Sequence, residues 1–354
     1  MAKILYTING DGMGHATRST AIISELRKRH TIKIIAGSVR TYNYLSKIFP
    51  DVHNFAGIKA VYKNNKVSDY ETVRGFFKSV IMDGPETVKK IYKIIRTFKP
   101  DVVITDFEGV TAYIANVLNI PVLCVCNVHS VTKLRYDVPK KYKKAYHKAK
   151  IVINTVYPKA DYHLITTFFY PPTKGRRVML FPPILRKEIL SLKPQRKGYI
   201  MVYQTSKTNK KLINALENIK YKFVVYGFDK EEKHKNLQFR KFNEKQFFKD
   251  IGDCNACITN GGFSFLSEAV WLHKPIFCIP ISGQFEQIIN GLFIKKLKYG
   301  ELHDSANKKD VENFIKMTDK YYNNLKHFKK EDNSKILRRI DDIINIETGH
   351  DNHQ

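Results

Sequence analysis

Two stretches of this 354-residue chain carry side chains whose types and spacing suit group-transfer chemistry. The first is the turn Gly10–His15, which follows an apolar run and precedes a helical pattern. Glycines bring the backbone close to a ligand, and the N-terminus of a helix favours negative charge. The turn is neither a dinucleotide fingerprint nor a P-loop, because His15 replaces the third glycine and no Gly-Lys-Ser/Thr follows. We predict a ligand-binding turn with Gly12, Gly14 and His15; an ordinary tight turn is the alternative.

Asp106 ends a predicted strand, Val102–Asp106. The carboxyl ends of parallel strands share one edge of a sheet, so this carboxylate is expected at the same edge as His15. There it would hold the imidazole in one tautomer and stabilise the imidazolium, which makes His15 a better general base. A helix N-cap and a solvated loop acid are the alternatives, and the sequence does not separate them.

The second stretch, residues 259–290, combines an Asn-Gly-Gly turn with the start of a helix. Free N–H groups near Gly262–Ser264 suit a diphosphate. Glu268 lies farther along the helix, where a carboxylate accepts hydrogen bonds from a ribose diol, and the side chains near Gln284 suit sugar hydroxyls. A plain turn with a solvated Glu268 is the alternative. The predicted nucleotide-sugar contacts here are Asn260, Gly261, Gly262, Phe263, Ser264, Glu268, Gln284, Glu286 and Gln287.

The elements that position these residues alternate between short apolar runs and helical patterns, which is typical of parallel sheets covered by helices. Six of the 13 prolines lie between residues 158 and 194 and mark a linker, after which the alternation restarts. We predict an N-terminal domain over 1–183, a linker over 184–197 and a C-terminal domain over 198–354. The last helix is free to pack back on the first domain.

The stretch 259–290 resembles the donor-binding motif of GT-B glycosyltransferases, above all the peptidoglycan lipid-intermediate GlcNAc transferase family and the UDP-glucosyl and UDP-glucuronosyl transferases. In those families a Gly/Ser turn holds the diphosphate, and a Glu eight residues after the first polar residue of the turn binds ribose. Asn260 and Glu268 have that separation. The pair of an acid or amide with Gln that binds the sugar and precedes an Asn carries over to Glu286, Gln287 and, beyond them, Asn290.

The opening turn is also similar, so the resemblance makes His15 the catalytic or acceptor-site histidine and Asp106 the acid that supports it in the plant-type branch. The chain departs from the family in the first loop of its second domain, where Thr205 and Ser206 stand in place of glycines. These two hydroxyls are expected to touch phosphate. Plant-type enzymes carry His where Asn260 stands, and their tryptophan-rich uracil segment is missing, so UDP is an expectation.

The resemblance implies an α/β protein of GT-B fold, with two Rossmann-like domains whose parallel sheets face an interdomain cleft. It implies an inverting glycosyltransferase that moves a hexose or N-acetylhexosamine from a UDP-sugar to the hydroxyl or phosphate of a lipid-linked or cell-envelope glycan acceptor. No metal and no cofactor besides the donor is expected, because helix N–H groups and cationic side chains would stabilise the departing UDP. A UDP-GlcNAc 2-epimerase-like enzyme shares the architecture and is the alternative.

Charge is the outlier of the composition, with 61 basic and 33 acidic side chains and a net charge of +28. Residues 1–186 hold 31 of the basic and 12 of the acidic side chains, so most of the excess lies in the first half. Such a field attracts nucleic acid, an anionic membrane or a phosphorylated substrate; biased coding is the alternative. Nucleic-acid binding is a distant alternative function, and no nucleic-acid partner is expected, because no motif that reads DNA or RNA is present.

Eight basic residues and three tyrosines crowd into Lys133–Lys150, and Arg74–Lys78 and Phe168–Tyr170 add basic and aromatic patches. We expect either peripheral docking on an anionic membrane, where a lipid-linked acceptor lies, or solvated helix faces with core aromatics. No apolar run approaches the roughly 18 residues of a membrane span, and no secretory signal is visible. The five scattered cysteines predict buried structural thiols, with a metal or redox pair at Cys254 and Cys257 as the alternative. They also predict a cytoplasmic location, at the inner face of the membrane if the basic patch docks.

Overall fold

The computed structural model describes residues 1–10, 13–55, 62–63, 66–67, 84–157, 159–204 and 209–349. They form two compact units. The first unit holds the described residues up to Arg186, except Lys66, and those from Glu331 on. The second unit holds the described residues of Lys187–Lys330 together with Lys66. The domain bounds 1–183 and 198–354 stay a prediction; in the structure the C-terminal helix belongs to the first unit.

A seven-stranded parallel sheet runs through the first unit. Its strands are β1 (Lys3–Ile8), β2 (Thr31–Ala36), β3 (Val52–Asn54), β4 (Val102–Asp106), β5 (Val122–Cys126), β6 (Tyr162–Thr166) and β7 (Val178–Phe181). Their order is β3-β2-β1-β4-β5-β6-β7, and every pair is parallel. The order reverses between β1 and β4, where Ile8 lies opposite Asp106. Ligands of open α/β sheets bind outside the carboxyl ends of strands at such a reversal.

The second unit repeats this arrangement. Its strands are β8 (Tyr199–Tyr203), β9 (Lys222–Tyr226), β10 (Glu232–His234), β11 (Leu237–Arg240), β12 (Ala256–Thr259), β13 (Ile276–Cys278) and β14 (Gly300–Leu302). Their order is β10-β11-β9-β8-β12-β13-β14, and the pair β10–β11 is antiparallel while the others are parallel. The order reverses between β8 and β12, so the carboxyl ends of these two strands mark a second ligand position.

Helices connect the strands, and Tyr62–Lys63 pairs with Lys66–Val67 in a separate two-stranded sheet. The helices are α1 (Met13–Leu26), α2 (Val39–Leu45), α3 (Gly84–Phe98), α4 (Gly109–Val117), α5 (Ser130–Lys133), α6 (Lys143–Val156), α7 (Lys187–Ser191), α8 (Lys210–Leu216), α9 (Glu244–Asp253), α10 (Phe263–Trp271), α11 (Phe285–Lys296), α12 (Lys308–Leu325) and α13 (Ser334–Thr348). A 3₁₀ turn, Lys140–Tyr142, precedes α6. Within the described residues, no helix combines the length and the hydropathy that a membrane crossing requires.

The C-terminal helix α13 completes the core of the first unit. Its buried isoleucines share a cluster with apolar residues of β1, α1 and β2, and they are Ile336, Ile340, Ile343 and Ile344. Their spacing places them on one face of the helix. Asp341 of the same helix binds Arg29 Nη2 at 2.6 Å and His30 Nε2 at 3.1 Å. These contacts tie α13 to the loop between α1 and β2, which explains why the chain returns to its first unit.

Candidate functional site

The turn after β1 is shaped by two glycines that touch. A Cβ on Gly10 would lie 2.3 Å from the carbonyl oxygen of Gly37, and a Cβ on Gly37 would lie 2.8 Å from Gly10 N. Neither position has room for a side chain. This close approach holds the end of β1 against the backbone that follows β2, and α1 begins at Met13. Gly14 lies in the first turn of α1, whereas Gly12 lies outside the described residues.

The structure brings His15 and Asp106 together at the carboxyl edge of the first sheet. His15 Nδ1 lies 2.8 Å from Asp106 Oδ1; the His15 side chain is 15% exposed, and Asp106 is buried. This contact turns Nδ1 toward the carboxylate. It leaves Nε2 as the ring nitrogen that is able to take a proton from another molecule.

Two further residues of α1, Arg18 and Ser19, also bind Asp106, and the sequence pattern did not single them out. Arg18 Nε donates to Asp106 Oδ2 at 2.7 Å, Arg18 Nη2 donates to Oδ1, and Ser19 Oγ donates to Oδ2 at 3.1 Å. Arg18 Nη2 also lies 2.7 Å from His15 Nδ1. Residues three and four positions apart share a helix face. The run His-Ala-Thr-Arg-Ser directly after the glycine turn is therefore the signal that could have found both residues.

Asp106 is a fixed negative charge in this setting. Burial by itself would raise the pKa of its carboxyl group, but the Arg18 guanidinium and the His15 imidazole outweigh burial and lower the pKa to about 2. A two-pronged guanidinium contact adds geometric constraint to the charge. The carboxylate thus orients His15, and the Arg18 guanidinium compensates its charge.

In the second unit, side-chain amides fix the turn that follows β12. Asn260 is buried, and its Nδ2 donates to Gln204 Oε1 at 2.9 Å. Asn290 Nδ2, on α11, donates to Gly261 O at 3.1 Å. Gly261 has a φ of 92°, and a Cβ there would lie 2.7 Å from Cys278 Sγ, so this position requires glycine. The turn is therefore fixed by three features: the Gln204 side chain after β8, the Asn290 side chain on α11, and the backbone conformation of Gly261.

Helix α10 begins directly after this turn, with Gly262 as its N-cap residue. This residue provides no side-chain cap, and a Cβ on Gly262 would meet nothing within 4 Å. The N–H groups of a first helical turn have no partner within the helix. With open space at Gly262, they meet the condition for binding an anion such as diphosphate. Ser264 is half-buried beside this position, and Phe263 is buried.

The other predicted donor contacts lie along α10 and α11. Glu268 is in the second turn of α10 and is 6% exposed. Gln284 is the N-cap residue of α11, Glu286 lies in its first turn, and both are half-buried. Gln287 is buried, and its Oε1 accepts a hydrogen bond from Ile281 N at 2.9 Å. The structure thus distributes this predicted set over the Asn-Gly-Gly turn, the first two turns of α10 and the start of α11.

Gln204 is a contact of the donor turn that the sequence pattern did not single out. It follows β8 and is fully buried, and its Oε1 also accepts from Asn209 Nδ2 at 3.3 Å. Its amide links the ends of β8 and β12 through Asn260, at the reversal of strand order in the second sheet. Thr205 and Ser206, the predicted phosphate contacts of the same loop, lie outside the described residues.

The basic segment Lys133–Lys150 exposes most of its lysines on the 3₁₀ turn and on α6. The neighbouring aromatic patch behaves differently. Phe168 and Phe169 are each 2% exposed and are therefore core residues, which was the alternative to a membrane-docking patch. Tyr170 is 57% exposed. Arg74–Lys78 lies outside the described residues. The surface of this region is therefore cationic, with its phenylalanines inside.

Comparison with protein families gives one match that spans most of the chain. The family model described as Glycosyl transferase family 1 matches residues 2–318. A protein of Methanosarcina mazei, described as an uncharacterized glycosyltransferase, is 26% identical over 332 residues, which is 85% of this chain and 85% of that protein.

Solved structures share the fold over nearly the whole chain. A UDP-glucosyltransferase from Polygonum tinctorium, capable of glucosylating indoxyl, has a TM-score of 0.68 at 12% identity and covers 98% of each chain. MurG of Acinetobacter baumannii has a TM-score of 0.62 at 13% identity and covers 96% of this chain and 99% of its own. The likeness shows a GT-B fold with two Rossmann-like domains, which confirms the fold predicted from the sequence.

Proposed function

The chain belongs to glycosyl transferase family 1, and on that premise we propose that it is an inverting glycosyltransferase whose donor is a UDP-sugar. The sugar is a hexose or N-acetylhexosamine, and the acceptor group is a hydroxyl of a lipid-linked or cell-envelope glycan. The observation that carries the proposal is the start of α10. There a helix whose N-cap residue is a glycine without a side chain follows a turn that Asn260 and Asn290 hold in place.

The donor is held by the second unit in this proposal. The diphosphate binds the N–H groups at Gly262–Ser264, where the helix contributes partial positive charge. The Glu268 carboxylate accepts from the ribose hydroxyls, and Gln284 and Glu286 bind the sugar. Helix N–H groups stabilise the charge on the departing UDP, so the transfer step needs no metal at the diphosphate. The similar fold of the Polygonum tinctorium protein, a UDP-glucosyltransferase, supports UDP as the carrier.

The acceptor is activated by the first unit. His15 Nε2 takes the proton of the acceptor hydroxyl while the acceptor oxygen bonds to the anomeric carbon. The bond between that carbon and the UDP oxygen breaks, its electron pair leaves with UDP, and the configuration inverts. Asp106 holds His15 Nδ1 at 2.8 Å and offsets the positive charge that the imidazole gains. A phosphate acceptor would arrive ionised and would not need His15, so the geometry favours a hydroxyl.

A lipid-linked acceptor is supported by the surface of α6. Lys143, Lys144, Lys148 and Lys150 are exposed there, and Ile151 on the same helix is 65% exposed. Lysines beside an exposed apolar side chain suit the surface of an anionic membrane. Peripheral docking through α6 would bring a membrane-held acceptor to the first unit.

Turnover of a His15→Ala variant tests the proposal. UDP release is measured with UDP-hexoses and UDP-N-acetylhexosamines, with lipid-linked and glycan acceptors, and with no acceptor. We expect kcat to fall by about 10²-fold or more, because a general base contributes that much, while the Kd for UDP stays the same. His30→Ala is the matched control, since His30 also pairs with an aspartate, Asp341, at 3.1 Å.

Two results would count against the proposal. Unchanged kcat in His15→Ala would remove His15 as the base, and a phosphate acceptor would then fit better. Consumption of the UDP-sugar at full rate with no acceptor present would point to the epimerase-like alternative.

A further inference from the structure

All five cysteines are buried and free, and two of them lie in a group that suits a metal ion. One ligand atom each from Cys124, Cys126 and His129 lies within 4.8 Å of the other two, and all three side chains are buried. Cys124 Sγ and Cys126 Sγ are 3.6 Å apart. Two sulfurs bound to one tetrahedral zinc ion, with Zn–S distances of about 2.3 Å, lie about 3.8 Å apart. The two thiols therefore already have the spacing of zinc ligands.

His163 is a buried neighbour of this group, although its ring nitrogens lie outside the 4.8 Å range that joins the other three ligand atoms. It stands directly opposite Cys124 in the β5–β6 register, and its ring centroid lies 4.6 Å from that of His129. His163 is 5% exposed, and its buried Nδ1 has no hydrogen-bond partner among the described residues. Buried polar atoms are nearly always satisfied, so an orphaned imidazole nitrogen beside two thiols points to an ion.

The face of the sheet that carries these ligands is polar where a core face is expected. Thr7, Thr105, Cys124 and His163 stand side by side across β1, β4, β5 and β6. Leu123, which points to the other face of β5, belongs to the main apolar cluster of the unit. Thr105 Oγ1 in this row is satisfied by Glu108, donating to its carbonyl at 2.7 Å and accepting from its N–H at 2.9 Å, whereas His163 Nδ1 has no such partner among the described residues.

We propose that Cys124, Cys126, His129 and His163 bind one zinc ion in a closed tetrahedral site. Two thiolates and two neutral imidazoles balance the charge of Zn²⁺, so the buried site carries no net charge, and binding releases the two thiol protons to solvent. His129 Nδ1 lies 3.4 Å from Thr132 Oγ1, a contact that leaves Nε2 for the metal.

The ion would be structural and would support the edge of the sheet where His15 lies. His129 packs edge-on against Phe107, with ring centroids 5.8 Å apart. Phe107 in turn stacks parallel to His15 at 6.3 Å and 9°. Zinc bound to His129 would therefore fix one wall of the candidate catalytic site. The site does not depend on the proposed function, because it is detected by metal content and not by turnover.

Metal analysis of the full-length protein tests the proposal. Purified protein is loaded with zinc, washed with a weak chelator and analysed for zinc by elemental mass spectrometry. We expect about one zinc per chain, lost in the variant with Cys124→Ser and Cys126→Ser. The matched control carries Cys254→Ser and Cys257→Ser, since these thiols lie 3.7 Å apart but have no third metal-capable ligand within the same range among the described residues. The control is expected to keep its zinc.

X-ray absorption at the zinc edge of the wild-type protein avoids any folding defect of the variants. We expect two sulfur ligands at about 2.3 Å and two nitrogen ligands at about 2.0 Å. Wild-type protein that retains no zinc after loading would overturn the proposal. So would zinc that survives in the Cys124/Cys126 variant, or a ligand shell without sulfur.

Discussion

Replacing Asp106 by Asn measures the contribution of the buried carboxylate to the stability of the first unit. Its pKa is about 2 in the folded protein against an ordinary value of 3.8. One pKa unit corresponds to about 1.4 kcal/mol, so ionised Asp106 stabilises the fold by about 2 kcal/mol at neutral pH. Because the folded pKa is lowered, this contribution is complete above about pH 4 and is lost as the pH falls toward about 2. Asn does not titrate and has no such dependence.

The expected result combines this pH dependence with the loss of a counter-charge. Asp106→Asn leaves the Arg18 guanidinium buried without its carboxylate, which costs about 3–5 kcal/mol at neutral pH. The difference in unfolding free energy between wild type and variant should then shrink by about 2 kcal/mol between about pH 6 and about pH 2. Denaturant-dependent hydrogen exchange of the amides in β1 and β4 reports on this unit. A difference that stays constant over the whole pH range would refute the reasoning.

Two further substitutions test the geometry of each half of the site. Arg18→Lys keeps the charge but loses the two-pronged contact with Asp106, so kcat should fall about tenfold or more at an unchanged donor KM. Arg29→Lys is the control; Arg29 forms a half-exposed ion pair with Asp341, and this substitution should leave kcat unchanged. Gly261→Ala should lower the free energy of unfolding by about 1–3 kcal/mol, because its φ of 92° and the Cys278 sulfur leave no room for a methyl group. Gly262→Ala should unfold at the wild-type denaturant concentration, and equal midpoints for the two alanine variants would contradict this account.

The fold could be predicted from the sequence because its signal is local. Short apolar runs and helical patterns alternate along the chain. In each unit a glycine-containing turn follows one of the two strands at which the strand order reverses, β1 in the first unit and β12 in the second. The C-terminal helix shows where such patterns stop being informative. Its isoleucines recur on one face, which predicts an amphipathic helix, but the periodicity does not say which core that face enters. That depends on tertiary contacts such as those of Asp341 with Arg29 and His30.

The candidate site was predictable where a single turn carries it and was missed where contacts join distant elements. Asp106 ends β4, Asn260 directly follows β12, and His15 lies in the first turn of the helix after β1, so local patterns alone place them near strand ends. Gln204 meets Asn260 across 56 positions in the chain. No local spacing encodes such a contact, because strand order determines it.

The cysteines show the same limit. Cys124 and Cys126 alternate along one strand, which predicts two side chains on one face and no more. His163 lies next to them only because β6 pairs with β5 in a register that sets it opposite Cys124. Register depends on the packing of whole faces and on turn geometry, so the sequence alone favoured inert thiols there.

Binding of nucleotides to the full-length protein tests the central claim most directly. UDP, GDP, ADP and dTDP are compared by calorimetry for the wild type, for Glu268→Ala and for Glu312→Ala, a control on the surface of the same unit. The account predicts that UDP binds selectively, that Glu268→Ala weakens it by about tenfold or more, and that Glu312→Ala binds as the wild type does. Failure of every nucleotide to bind, or equal UDP affinity in Glu268→Ala and wild type, would contradict a nucleotide-sugar site at the start of α10.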